Sequence, residues 1–200
     1  TDLAKLINSW ECVDVLYFAD SLGSMDTVDI ERVYIAMREG WLKDLGFHAH
    51  NNMGQGISNV KMAIKMGCKW IDGTVTGMGR GAGNAELEYI VEQPEISPKI
   101  KNTKQLMSLV INYFEPLKKK YGWGMSMAYH YSARQGIHPM YVQNLCSDED
   151  LDRKQLPKIL SDLSRIDSPH IFNRSMLTSV ISKIADNDIV IGDEVSPIFE

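Results

Sequence analysis

The stretch that decides the fold is DLGFHAHNNMGQGISNVKMAIKMGCKWIDGTV, residues 44–75. A short apolar run, DLGFHAH (44–50), is followed by a helical pattern over 55–67 in which Ser58 to Met66 carry an apolar stripe, and then by a second short run, KWIDGTV (69–75). Strand, helix and strand in so short a span make a βα unit, and a connection through a helix requires the two strands to run parallel. Working outward, VDVLYFA (13–19) reads as a preceding strand and 27–40 as a helix whose first turn Asp26 or Thr27 can cap. A short strand is expected near 79–84 and a last helix from Asn84 or Ala85. Before all of these, Leu3, Leu6, Ile7 and Trp10 fall on one face of an amphipathic helix.

Alternation of this kind signals an α/β unit, assigned to residues 1–93. EQPEISPKIKN has two prolines and high polarity, and the linker is set at 94–102. Residues 103–200 then form a mainly α-helical C-terminal unit, with helical periods over 103–120, 148–164 and 173–186. An aromatic, glycine-containing insert, YGWGMSMAYHYSARQGIHPMYVQNL (121–145), separates the first two, and the glycines of YGWG are expected to shape a turn. Trp10 and Trp70 are expected in the core, and Met62, Met66, Met107, Met125 and Met127 read as gap-filling apolar residues.

Composition closes several routes to function. The chain has 44% hydrophobic and 24% charged residues, as an ordinary globular protein does. A formal charge of −5 leaves no broad basic field for nucleic acid, and Lys118-Lys119-Lys120 reads as a solvated helix face. Cys12, Cys68 and Cys146 are an odd number without a CxxC pair, so they read as buried thiols of a reducing compartment. No run is long and apolar enough to span a bilayer, and TDLAKLINSW lacks the order of a signal peptide, so the expected location is cytoplasmic. The opening directly into a helix without Met reads as an excised piece of a longer chain.

Each strand ends in small or polar residues: Asp20-Ser21-Leu22-Gly23, His48 to Asn52, and Gly77 to Asn84. In parallel α/β folds ligands bind at this carboxyl edge. His48 and His50, two apart on a strand, point to one face, where two neutral imidazoles can ligate one divalent metal while Asn51 or Asn52 orients them. A pair of interior histidines satisfied by hydrogen bonds would give the same pattern. Glycines 77, 79, 81 and 83 allow positive φ angles and close approach of backbone to a ligand. Alone they fit a phosphate loop or a tight strand-to-helix turn equally well.

DSLGSM followed by GFHAHNNMGQGISNVKMAIKMGCKWIDGTVTGMGRGAGNAELE resembles, in sequence and order, the latter half of the metal-dependent pyruvate aldolase and lyase (HMGL-like) family, above all its oxovalerate-aldolase branch. The resemblance covers residues 13–92. It implies the latter half of a TIM (β/α)8 barrel, with about four βα units, holding Mn2+ or Mg2+ through His48 and His50, with Asn84 as a further ligand. Ser21 would then help hold the substrate carboxylate, His48 would also face the substrate, and Asp20 would brace the strand-end network or cap a turn. The implied reaction is retro-aldol cleavage of a 4-hydroxy-2-oxo acid through a pyruvate enolate, or its reverse. In the insert, Tyr131-Ser132 is similar to a tyrosine-serine pair of the oxovalerate aldolases, and the segment to His138 is similar to the histidine-bearing one of isopropylmalate synthases. Tyr131 and His138 are therefore catalytic candidates, against aromatic packing or a solvent-facing cap.

The chain departs from the family in lacking its Asp-Arg-Glu-like first-strand motif, so a carboxylate ligand and an arginine are expected outside it and the isolated chain is expected to be inactive. Two other readings compete: an acyl-CoA-dependent Claisen condensation of the isopropylmalate-synthase type, and a non-catalytic assembly module. Half a barrel would leave sheet edges open, to be covered by the helical unit, by a second copy or by a partner.

Overall fold

The computed structural model describes residues 1–94, 96 and 103–188, with the side chains of 185–188 left out. Most of the expected linker at 94–102 lies outside the described residues. The elements that matter for the site are helix α1 (Asp2–Asn8), strand β1 (Val15–Asp20), helix α2 (Thr27–Arg38), strand β2 (Asp44–Ala49), helix α3 (Gly56–Met66) and strand β3 (Trp70–Asp72). The three strands form one parallel sheet in the order β1-β2-β3.

Local chemistry explains these bounds. Asp26 caps α2: its side chain accepts from the N–H groups of Val28 and Asp29, and Asp29 returns a bond to the Asp26 N–H, so donors at the helix start are satisfied reciprocally. Gly67, at φ 114°, ends α3 in the left-handed conformation. Leu45, Phe47 and Ala49 of β2 are fully buried and, with Phe18, Ile30, Val60 and Ala63, build the core between sheet and helices.

Period-two alternation sends the other residues to the opposite face. There the register aligns Tyr17 with Gly46 and Gly46 with Trp70, and in the next row Ala19 with His48 and His48 with Asp72. Nothing among the described residues pairs with the outer edge of β1. Trp70 is 52% exposed on this open face and Trp10 is 46% exposed, so the expected core placement of both is corrected; the tryptophan at full burial is Trp41.

Past β3 the chain differs from expectation. The strand expected over 69–75 stops at Asp72, and a 3-10 turn follows at Val75–Gly77. No strand forms over 79–84. His50 and Asn84 pair in an isolated antiparallel bridge, and Thr74 pairs with Glu86. The Ala85 N–H donates to Ala49 O at 3.0 Å and the Leu87 N–H to Thr74 O at 2.9 Å. Residues 84–86 are thus committed to the strand ends, and the helix expected from Asn84 or Ala85 begins only at Leu87, as α4 (Leu87–Val91).

From Lys104, α5 (Lys104–Leu109), a π-helical turn (Val110–Phe114) and α6 (Glu115–Tyr121) run on continuously. Gly122 and Gly124, at φ 72° and 123°, then make the turn expected of YGWG. The aromatic insert folds into α7 (Met127–Arg134) and α8 (Pro139–Ser147). Where one helix was expected over 148–164, α9 spans only Leu156–Leu163, because Pro157 suits a first turn and not an interior. α10 (Arg174–Asp188) closes the described part. These helices share a second core around Ile137, Tyr141, Ile159, Leu163 and Ile184. Met107, Met125 and Met127 are exposed, which corrects their reading as core fillers, and Cys12 and Cys146 are exposed while Cys68 alone of the three is buried. None of the described helices is long and apolar enough to cross a membrane.

Candidate metal and substrate site

His48 and His50 stand at the carboxyl end of β2 on the open face, their ring centroids 5.1 Å apart and nearly edge to face. His48 Nδ1 lies 3.0 Å from Asp72 Oδ2, across the register pair that aligns these residues. An ionised carboxylate there accepts a hydrogen bond from Nδ1–H, which fixes the tautomer and leaves the Nε2 lone pair free. Asp72 carries a second load: burial, then its charge, then its hydrogen bond raise the pKa of Tyr17. His50 has a lowered pKa, chiefly from burial, then from the charges of His48 and Arg80. The shift favours the neutral ring, which can offer a lone pair.

Asn84 is brought beside His50 by the bridge, and its Nδ2 donates weakly to Thr74 Oγ1 (3.5 Å) and Met78 O (3.4 Å), while its Oδ1 has no hydrogen-bond partner among the described residues. The loop that delivers it is tightly folded. Gly77, Gly81 and Gly83 all have positive φ, and a side chain on Gly83 would run into the Gly77 carbonyl. Thr76, a β-branched residue at φ 52°, is held in that costly conformation from three sides. Its N–H donates to the Glu88 carboxylate (2.9 Å to Oε2), and its carbonyl accepts from Lys118 Nζ (3.2 Å) and Trp123 Nε1 (3.1 Å).

The other sequence candidates divide by location. Asp20 is buried, and its carboxylate accepts the Ser24 N–H at 3.0 Å and the Met25 N–H at 3.1 Å, so it braces the turn after β1. Burial outweighs these bonds and raises its pKa. Ser21 follows it at the same sheet edge, exposed. Asn51 Oδ1 accepts the Gly56 N–H at 2.9 Å and starts α3, while Asn52 is buried against Gly23. Tyr131 lies on α7 and His138 precedes α8. Tyr131 lines a small apolar cavity with Met127, Leu156 and Leu160. His138 caps α8, its Nδ1 accepting the Met140 N–H at 3.2 Å, and it packs near Phe172. No hydrogen bond among the described residues joins either of them to His48 or His50.

Sequence reasoning missed two residues. Asp72 was legible as a strand residue but not as the partner of His48, since that depends on register. Arg80 lay unremarked inside the glycine run, and its charge is felt at both His50 and His138, lowering their pKa behind burial.

No three His, Cys, Asp or Glu residues among those described cluster well enough to hold a metal by themselves. The donor set is two imidazole nitrogens and an amide oxygen, one imidazole buttressed by a carboxylate. That set fits part of a divalent-ion site whose remaining positions are open to substrate, water or further residues.

A parallel α/β sheet with polar strand ends and paired histidines at its carboxyl edge defines the broad class: α/β folds that bind ligands where strands end and helices begin. More particularly, the chain belongs to the HMGL-like family, whose profile matches residues 1–110. It is 41% identical over 88 residues to the 4-hydroxy-2-oxovalerate aldolase of Carboxydothermus hydrogenoformans, covering 44% of this chain and 26% of that protein. The Thermus thermophilus aldolase of the same name is 44% identical over 78 residues, covering 38% and 22%. The chain thus spans about a quarter of the length of these curated relatives. Among solved structures, the N-terminal domain of a protein described as an aldolase from Bacteroides vulgatus superposes with a TM-score of 0.64 at 29% identity, over 72% of this chain and 47% of that one. The carboxyl transferase domain of Rhizobium etli pyruvate carboxylase, with 3-hydroxypyruvate, superposes at 0.69 with 15% identity, over 98% and 36%, a likeness of fold.

Proposed function

We propose that these residues form the strand-end part of a divalent-metal-dependent aldolase that cleaves a 4-hydroxy-2-oxo acid to pyruvate and an aldehyde, or runs the reverse condensation. The observation that carries this reading is the pairing of His48 and His50 on one strand face, with Asn84 bridged beside His50 and Asp72 on His48 Nδ1. The curated relatives named as 4-hydroxy-2-oxovalerate aldolases support the reaction class. In this reading the sheet is the latter part of a TIM barrel, and the open edge and face beside β1 are where other strands complete it.

His48 Nε2, His50 and Asn84 Oδ1 would hold Mn2+ or Mg2+. Bound there, the ion supplies a Lewis acid for a 2-oxo acid and stabilises the charge that develops on its keto oxygen. The chain's own residues do the rest. Asp72 keeps His48 in the tautomer that presents Nε2. Ser21, at the neighbouring strand end, is assigned to the substrate carboxylate. In cleavage, the 4-hydroxyl gives up its proton, the bond between carbons 3 and 4 breaks, the aldehyde leaves and carbon 3 is reprotonated. Tyr131 and His138 are assigned to proton transfer at that hydroxyl. Because His138 Nδ1 accepts from Met140, the proton of its neutral ring sits on Nε2, the nitrogen that would donate to an aldehyde oxygen in the condensation direction.

The test is exchange of pyruvate methyl protons with deuterated solvent by the full-length protein. Exchange that needs added Mn2+ or Mg2+ supports the reading. Absence of exchange with either metal sinks it.

A further inference from the structure

The loop that carries Asn84 has a second side. Behind it lies a cavity of about 800 Å³ between Gly79-Arg80-Gly81, the end of α6, the turn 122–126 and the ends of α7 and α8. Five of its lining residues are cationic (Arg80, Lys118, Lys119, Lys120 and Arg153), and no aspartate or glutamate lines it. In a chain with a net charge of −5 this is a concentration of charge against the overall balance.

Little within the described residues neutralises it. Lys118 is engaged, with Thr76 O and, at 3.7 Å, with Glu86. Lys120 lies over the Tyr121 ring. Arg80, Lys119 and Arg153 form no ion pair with a described residue. Like charges converging on one concavity repel one another until an anion fills it, and concave walls focus the field. The size is that of a small-molecule site, and a concave pocket suits a compact polyanion rather than an extended polyelectrolyte. Neutral donors, Ser126, Gln143 and Ser147, complete the wall.

The cavity adjoins the candidate metal site. Gly79, on its wall, packs so tightly against Asn84 that a side chain there would come within 2.8 Å of Asn84 Nδ2. The Gly124 N–H donates to Gly81 O at 3.0 Å and ties the two walls together. The lysine run that reads in sequence as a solvated helix face is, in the fold, one wall of a pocket that starts where the site ends.

We propose that this cavity binds the phosphate group of an organic phosphate, which under the aldolase reading is the acceptor aldehyde, its phosphate held by Arg80, Lys119 and Arg153 with its carbonyl toward Asn84. The identity of the acceptor rests on the function proposed above; phosphate binding in the cavity does not.

Two arms test it in the full-length protein. In the first, calorimetry measures binding of inorganic pyrophosphate, which should weaken as salt rises and fall at least about fivefold with Arg153→Glu and with Lys119→Glu, exposed positions whose fold circular dichroism checks. Lys65→Glu, on α3 away from the cavity, should not alter it. No binding, or binding indifferent to both cavity variants, overturns the proposal. The second arm compares aldehydes of equal carbon number with and without a terminal phosphate as partners for pyruvate. A higher kcat/KM for the phosphorylated one, reduced by Arg153→Glu, supports the assignment. Equal values overturn the acceptor identity. A protein that binds pyrophosphate in the cavity yet condenses neither aldehyde keeps the phosphate site and refutes the aldolase reading instead.

Discussion

Removing Asp72 should weaken divalent-ion binding far more than it weakens the fold. Its Oδ2 lies 3.0 Å from His48 Nδ1, but the two side chains remain 31% and 47% exposed. A pair so open to solvent contributes little to stability, at most about 1 kcal/mol. Its effect on a ligand is another matter. Carboxylates that hold a metal-binding imidazole by its second nitrogen typically change metal affinity by about 10–100-fold, or roughly 1.4–2.7 kcal/mol. Asp72→Ala should therefore raise the Mn2+ dissociation constant within that range while shifting urea unfolding only slightly. Asp72→Asn, which keeps a hydrogen-bond acceptor but not the charge, should fall between. Tyr17 provides a readout independent of metal: because Asp72 adds to burial in raising its pKa, phenolate absorbance should appear at lower pH in Asp72→Ala. Mn2+ affinity equal to that of the unaltered protein in Asp72→Ala would refute the assigned role.

Further outcomes follow from other contacts. Gly83→Ala has to adopt φ 77° and meet the Gly77 carbonyl, so it should cost about 1–3 kcal/mol in urea unfolding and loosen the loop that places Asn84. Asp20→Ala strands the Ser24 and Met25 N–H groups and should cost about 2–3 kcal/mol. Because burial raises the Asp20 pKa in the folded protein, the native state holds this proton more tightly than the unfolded chain. The group's contribution is thus most favourable below the ordinary value of 3.8 and is lost as pH rises through the raised folded value. The melting temperature of the unaltered protein minus that of Asp20→Asn should accordingly fall as pH rises from 3.8. Burial pushes the Cys68 thiol up to about 11, so at pH 8 a thiol reagent should modify exposed Cys12 well before Cys68.

How far the sequence led depended on the range of the interaction. Period and capping are local, so the three strands, a cap at Asp26 or Thr27 and the common face of His48 and His50 could be read from neighbours a few residues away. Register is not local: nothing in KWIDGTV says that Asp72 stands opposite His48 rather than Phe47. The loop 73–86 misled for the same reason, because its backbone bonds to Ala49 and Thr74 replace the strand and early helix that its residues suggest. Trp70 was misplaced because burial depends on what covers a face, and the face it shares with Tyr17 and His48 stays open. Lys118 looked like surface because its helical neighbours are; only the fold brings Thr76 O and Glu86 to its ammonium.

The measurement closest to the central claim is metal content. The full-length protein, loaded with Mn2+ and desalted, should retain the ion, and the protein with His48→Ala and His50→Ala together should lose it while keeping its circular dichroism. Equal retention in both would place the metal elsewhere, and no retention in either would remove the metal from the account.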